Sequence, residues 1–256
     1  MLVDTHCHVH EADYPLPLSD VFAHAAAAGV EKMICVGTSE QSSADAIRLA
    51  SQYDNLYAAV GVHPHDTKGG YGQIAALAKR GVVAVGEVGL DYYYNHSPRE
   101  VQIAALESQI QTALDNDLPI IFHVREASSA ERRESVWNDF WPIFDNFHGI
   151  RGALHSFTDS QANLDKAFER GLYVGVNGIS TFTKDPAQQQ LYEAIPLERM
   201  LLETDAPFLT PTPYRGSINE PAFVSEVAKY HAAIRGINLE IMAETTTANA
   251  YALFQL

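Results

Sequence analysis

The sequence predicts an α/β protein, a distorted (β/α)8 TIM barrel with its site at the C-terminal ends of the strands. Three observations carry that expectation. Eight short apolar segments alternate with helical sequence over 256 residues, the count and size of such a barrel. The segments are continuously apolar, as parallel strands covered on both faces require. Finally, His, Glu and Asp recur where the segments end. The first and last segments both end in them, so closing the sheet would gather them at one mouth. An open, doubly wound sheet is the competing arrangement.

Residues 2–8 read as the first strand, with Val3 and Thr5 suited to it and His6 and His8 two positions apart on one face. Pro15 and Pro17 mark a loop, and Ser19 or Asp20 is expected to cap a helix that runs to Gly29. A strand over 32–36 and a helix over 42–53 follow, the latter with Ala46, Leu49 and Ala50 on one side. The strand over 56–60 ends at Gly61-Val62-His63-Pro64-His65, and a helix is expected over 71–80. Strand 82–85 ends at Gly86-Glu87, before a long helix over 98–116 with Pro98 near its first turn. Strand 120–122 ends at His123 and precedes a helix over 135–147, and strand 152–154 ends at His155 and precedes one over 161–170. Strand 172–176 ends at Asn177-Gly178. After a short helix, strand 199–202 leads into Glu203-Thr204-Asp205, and helices over 220–235 and 239–254 close the chain. With no linker, repeat or low-complexity tract, residues 1–256 read as a single domain.

Composition narrows the function classes. An apolar fraction of 46% and a charged fraction of 19% exclude wholesale disorder. No apolar run approaches the roughly 18 residues that span a bilayer, so no membrane role is expected. There is no basic leader, and Cys7 and Cys35 are too few for a disulfide framework, which together imply a reducing, cytoplasmic setting. A net charge of −15 argues against a broad nucleic-acid-binding face. It does not exclude a polyanion gripped where metal ions supply positive potential locally.

His6, His8, His63, Glu87, His123, His155 and Asp205 all fall at strand ends. Six of them fill two metal shells. His63 reads as facing substrate, with a structural role as the alternative, and Cys7 as packing into the barrel wall.

These residues, in their motifs, resemble the TatD-like hydrolases, a deoxyribonuclease family among the amidohydrolase-type metal barrels. The resemblance is carried by Asp4-Thr-His6-Cys-His8, Gly61-Val-His63-Pro64, Gly86-Glu87-Val-Gly89-Leu-Asp91-Tyr92, His123-Val-Arg125-Glu126-Ala127, His155-Ser156-Phe157-Thr158 and Leu202-Glu203-Thr204-Asp205-Ala-Pro207. Pro213-Tyr214-Arg215-Gly216 and Asn219-Glu220-Pro221 also fit. It implies a site for two divalent cations, with His6, His8 and Asp205 on one, His123 and His155 on the other, and Glu87 bridging. It further implies a magnesium- or manganese-dependent 3′→5′ exonuclease acting on DNA ends. The alternative is a metal-dependent ester or amide hydrolase such as a D-aminoacyl-tRNA deacylase. Asp159 stands where the family usually has Gly, and would either cap the next helix or repel phosphate.

Two cations sharing Glu87 would lower the pKa of a water between them, giving hydroxide near pH 7, with Asp205 as the proton acceptor and later donor. Arg125 and Arg215 are candidates to clamp phosphate oxygens, or simply to form surface ion pairs. Asp4 and Glu203 share strand parity with His8 and Asp205 and are expected to orient imidazole N–H groups. Tyr92, Tyr93 and Tyr94 either stack on a terminal base or pack the loop. The imidazole-rich ligand set suits zinc, manganese or iron better than magnesium. Oligomeric state is open, with a monomer expected.

Overall fold

The computed structural model describes residues 1–94, 96–128 and 134–256. Its order is β1 (Leu2–Cys7), α1 (Leu18–Ala27), β2 (Val30–Val36), α2 (Glu40–Ala50), β3 (Leu56–Val60), α3 (Ile74–Leu77), β4 (Ala84–Asp91), α4 (Arg99–Asp115) and β5 (Ile120–Arg125). It continues with α5 (Trp137–Asp145), β6 (Gly152–Leu154), α6 (Gln161–Glu169), β7 (Tyr173–Val176), α7 (Ile179–Phe182), α8 (Pro186–Ala194), β8 (Met200–Leu202), α9 (Val224–Arg235) and α10 (Leu239–Phe254). The eight strands form one parallel sheet in sequential order. The expected barrel is the observed fold.

Closure happens at the C-terminal ends of β1 and β8. His8 N–H donates to the Ala206 carbonyl and Asp205 N–H to the His6 carbonyl, both at 2.8 Å. The Thr5 hydroxyl donates to the Leu202 carbonyl at 3.0 Å. The seam of the barrel is therefore also the place where three candidate ligands meet. At the opposite end, α10 covers the seam: Asn249 Nδ2 donates to the Leu197 and Met200 carbonyls at 2.8 Å each. Leu253 and Phe254 join Val3, Ile34, Ile121 and Leu201 in the inner apolar cluster. Each such side chain stabilises by about 1.5–3 kcal/mol on burial.

Several boundaries differ from expectation, for identifiable reasons. The α1 helix starts at Leu18 after Pro17 with no side-chain cap, and the Ser19 hydroxyl bonds Asp20 instead. The helix expected over 71–80 is the single turn α3, anchored by only two buried residues, Ile74 and Leu77. The fourth strand does not stop at Val85 but continues to Asp91. Gly86 and Gly89 resemble turn residues, yet they lie within the strand because neighbouring strands come too close for a side chain. A Cβ on Gly89 would lie 1.8 Å from the His123 carbonyl oxygen, and one on Gly86 2.6 Å from Ile121 Cβ. No described helix is long and apolar enough to cross a membrane.

Candidate metal centre

Glu87 is buried in the middle of β4, and its two oxygens face different partners. Oε2 lies 3.3 Å from His6 Nε2. Oε1 lies 2.7 Å from His123 Nδ1 and 3.8 Å from His155 Nε2. On the Oε2 side, Asp205 Oδ1 lies 3.3 Å from His8 Nε2 and 3.7 Å from His6 Nε2, and the two Nε2 atoms are 3.2 Å apart. The six strand-end residues thus converge, with Glu87 between His6 and His123, and with His155 Nε2 3.8 Å from Glu87 Oε1 and 3.7 Å from Asp205 Oδ1.

Groups on the far side of a ring determine what its near side offers. His8 Nδ1 is 2.8 Å from the Val36 carbonyl, which can only accept, so the proton sits on Nδ1 and Nε2 faces the site. His155 Nδ1 lies 2.9 Å from Glu203 Oε1, and Glu203 is held in turn by the Ser156 N–H at 2.7 Å. Nothing among the described residues partners His6 Nδ1. Around His6 and His8, whose Nε2 atoms are 3.2 Å apart with Glu87 and Asp205 beside them, buried lone pairs repel each other unless a proton or a metal cation sits between them. The donor set, imidazole nitrogens with shared carboxylates, therefore fits divalent metal ions.

His63 is different. Its Nδ1 accepts from the His65 N–H at 3.1 Å, so in the neutral ring the proton is on Nε2. That N–H points at Glu87 Oε1 from 3.6 Å. In this tautomer His63 presents a donor suited to an anionic oxygen, although it also lies with Glu87 and His123 in a group whose ligand atoms could hold a metal ion.

The charges respond to this crowding. Burial works against the His155 cation, but Glu203, Glu87 and Asp205 outweigh it and hold its pKa at about 10. Burial likewise opposes protonation of His123, and Asp91 and Glu87 hold it at about 9. Burial lowers His6, helped by its neighbour His155, whose ring it stacks at 3.6 Å. Glu87 and Asp205 both resist the upward push of burial and stay below the usual carboxylate range because of the surrounding histidines. In the metal-free protein, His123 and His155 therefore carry protons near neutral pH. A cation must displace them, so its apparent affinity should rise with pH, by up to about 100-fold per unit below the His123 value. The metal-free fold responds with the opposite sign. Values raised above 6.5 contribute stability that is complete below that pH and is lost as pH climbs through about 9 and about 10. Calorimetric metal titrations in buffers of different ionisation enthalpy, with thermal melts in metal and in chelator, check both signs.

The chain also matches a known family over almost its whole length. The family described as TatD related DNase matches residues 3–255. The chain belongs to it. The Bacillus subtilis protein named uncharacterized metal-dependent hydrolase YabD is 35% identical over 261 residues, covering 100% of both chains. The Salmonella typhimurium protein named 3′-5′ ssDNA/RNA exonuclease TatD is 37% identical over 247 residues, covering 93% of this chain and 92% of its own. Among solved structures, the TatD homologue YjjV of Escherichia coli superposes with a TM-score of 0.88 at 27% identity, covering 100% of this chain and 98% of that one. The protein is thus a TatD-family metal-dependent hydrolase.

Within that family frame, several side chains lie elsewhere than their sequence positions suggested. Asp4 orients no imidazole. Its oxygens take the Thr204 N–H at 2.9 Å and the Thr204 hydroxyl at 2.6 Å, welding β1 to the turn that carries Asp205. An irregular register between Asp4 and Cys7 breaks the alternation behind the expectation. Tyr92 is buried with its hydroxyl donated to Asp139, so it faces no substrate. Arg215 lies over Phe182 and gives Nη1 to the Thr210 carbonyl at 2.8 Å, bracing the loop after β8. Asp159 receives the Trp137 indole N–H at 2.8 Å and Asn163 Nδ2 at 2.6 Å, which engages both of its oxygens in local structure. Cys7, by contrast, is packed away as expected, and both it and Cys35 are buried free thiols.

Asp91 is the residue that sequence reasoning missed. Fully buried, its Oδ2 accepts from His123 Nε2 at 3.0 Å and from His65 Nε2 at 2.9 Å. Its Oδ1 accepts the Tyr93 and Tyr94 N–H groups at 2.8 and 3.1 Å. With Nε2–H thus committed, His123 can offer only Nδ1 to the site. The signal was present: Glu87, Gly89 and Asp91 share one face of a strand, provided the strand is carried through the glycines. Asp91→Asn should weaken metal binding at His123 by roughly 10- to 100-fold, because an amide replaces one of the two acceptor oxygens with a donor. Ion titration followed by elemental analysis checks it.

Proposed function

We propose that this protein is a phosphodiesterase that shortens single-stranded DNA from its 3′ end and uses two divalent cations bridged by Glu87. The observation that carries the reading is the division of the Glu87 carboxylate, Oε2 toward His6 and Oε1 toward His123 and His155. His6, His8 and Asp205 would hold one ion and His123 and His155 the other, with magnesium, manganese, zinc or iron compatible with the donors. Such ions supply Lewis acidity toward a phosphoryl oxygen and an acidified water.

The protein's own groups account for the rest. Asp205, kept ionised among histidines, takes the proton from the attacking water and returns it to the departing oxygen. The His63 Nε2–H donates to a phosphoryl oxygen as negative charge grows there. The Arg125 guanidinium, exposed at the end of β5, meets the neighbouring phosphate. The Salmonella relative named as a 3′-5′ ssDNA/RNA exonuclease supports the choice of substrate. The test is a nuclease-free preparation loaded with manganese and given end-labelled single-stranded DNA. Stepwise loss from the 3′ end, absent in chelator, is the expected result. Turnover of carboxylic esters or aminoacyl esters with no loss of DNA would replace this reading by the acyl-hydrolase one.

A further inference from the structure

Beside the metal centre, the connection after β4 carries two side chains that the chemistry above leaves unused. Tyr93 and Tyr94 are 42% and 47% exposed, although Asp91 and Tyr92 just before them are buried. Scattered exposed aromatics are ordinary, but these two are neither scattered nor loose. Their rings meet at 74° with centroids 4.7 Å apart. Both of their backbone N–H groups are held by Asp91 Oδ1, while Oδ2 of the same carboxylate holds His123. The aromatic pair and a candidate metal ligand thus hang from one buried group. Arg125, paired with Asp91 in the β4–β5 register, lays its guanidinium 4.4 Å from the Tyr93 centroid and 4.9 Å from that of Tyr94. Among the described residues Arg125 makes no ion pair.

We infer that Tyr93, Tyr94 and Arg125 form a subsite for an unpaired nucleobase and its phosphate next to the scissile linkage. This rests on the phosphodiesterase reading and adds the feature that would tell a single strand from a duplex. Every base has a π-face, so stacking on tyrosine tolerates sequence, but the face is available only when the base is unstacked from its neighbours. A guanidinium held over aromatic rings still has N–H groups to turn toward a phosphate. For a chain of net charge −15, which repels polyanions at a distance, a cation placed at the mouth is a local attraction.

The test uses metal-loaded protein and a short single-stranded oligonucleotide whose 3′-terminal base is 2-aminopurine and whose last linkage is a phosphorothioate. Stacking on the tyrosines should quench the fluorescence saturably. Tyr93→Ala with Tyr94→Ala should abolish the quench and raise Kd roughly ten- to a hundredfold. Tyr93→Phe with Tyr94→Phe should restore both, since the ring matters and the hydroxyl does not. An alanine pair that binds and quenches like the parent while DNA is still degraded overturns the subsite and leaves the nuclease reading standing. A phenylalanine pair that fails as the alanine pair does overturns stacking as its basis. A parent protein that neither binds nor cleaves any oligonucleotide removes the nuclease reading, and the subsite with it.

Discussion

Glu87→Gln should lose both ions and the activity together. Each Glu87 oxygen serves a different set of nitrogens, and among the described residues only Glu87 pairs with both His6 and His123. An amide keeps the size but offers one oxygen and no charge, and its NH2 group would point a donor at a cation. The loss of turnover should exceed the roughly 10- to 100-fold that removal of an outer partner costs. Metal content should fall for both ions, which separates this variant from Asp91→Asn. The metal-free fold should survive, because a glutamine oxygen can still accept from His123 Nδ1. Elemental analysis alongside circular dichroism decides the matter. A folded Glu87→Gln protein with full metal content and the parental rate would remove the shared-carboxylate centre.

Asp205→Asn should separate binding from chemistry. Asp205 Oδ1 touches His8, His6 and His155, and its backbone N–H closes the barrel seam through the His6 carbonyl. The amide preserves that backbone bond and the shape of the pocket but removes the proton acceptor. Turnover should drop by roughly 100- to 10,000-fold, the range for losing a positioned acid–base group. The ion proposed at Glu87, His123 and His155 should remain. Single-turnover kinetics with measured metal occupancy checks this. A variant whose rate loss is restored in full by raising metal concentration would show that Asp205 acts only as a ligand.

Much of the fold and the list of candidate ligands was legible in the order of residues. Eight apolar segments followed by helices leave few ways to bury a parallel sheet, and a ring of strands brings every C-terminal end to one rim. His6, His8, Glu87, His123, His155 and Asp205 were therefore readable as one group before any distance was known. Boundaries were less legible where local chemistry has two meanings. Gly86 and Gly89 look like a turn, and only the neighbouring strand explains why they are glycines inside one.

What the sequence by itself determined is which residues share the mouth of the barrel, because strand order and side-chain alternation are properties of the chain. What only the tertiary structure decided is how each atom is used there. The His8 tautomer depends on the Val36 carbonyl, that of His63 on the His65 amide, and the orientation of His123 on Asp91. Asp4 is claimed by Thr204, 200 positions away, before it can reach a histidine. Hydrogen bonds of this kind are set by distances of a few tenths of an ångström between remote segments, and the two register shifts in β1 are not written in its residue pattern.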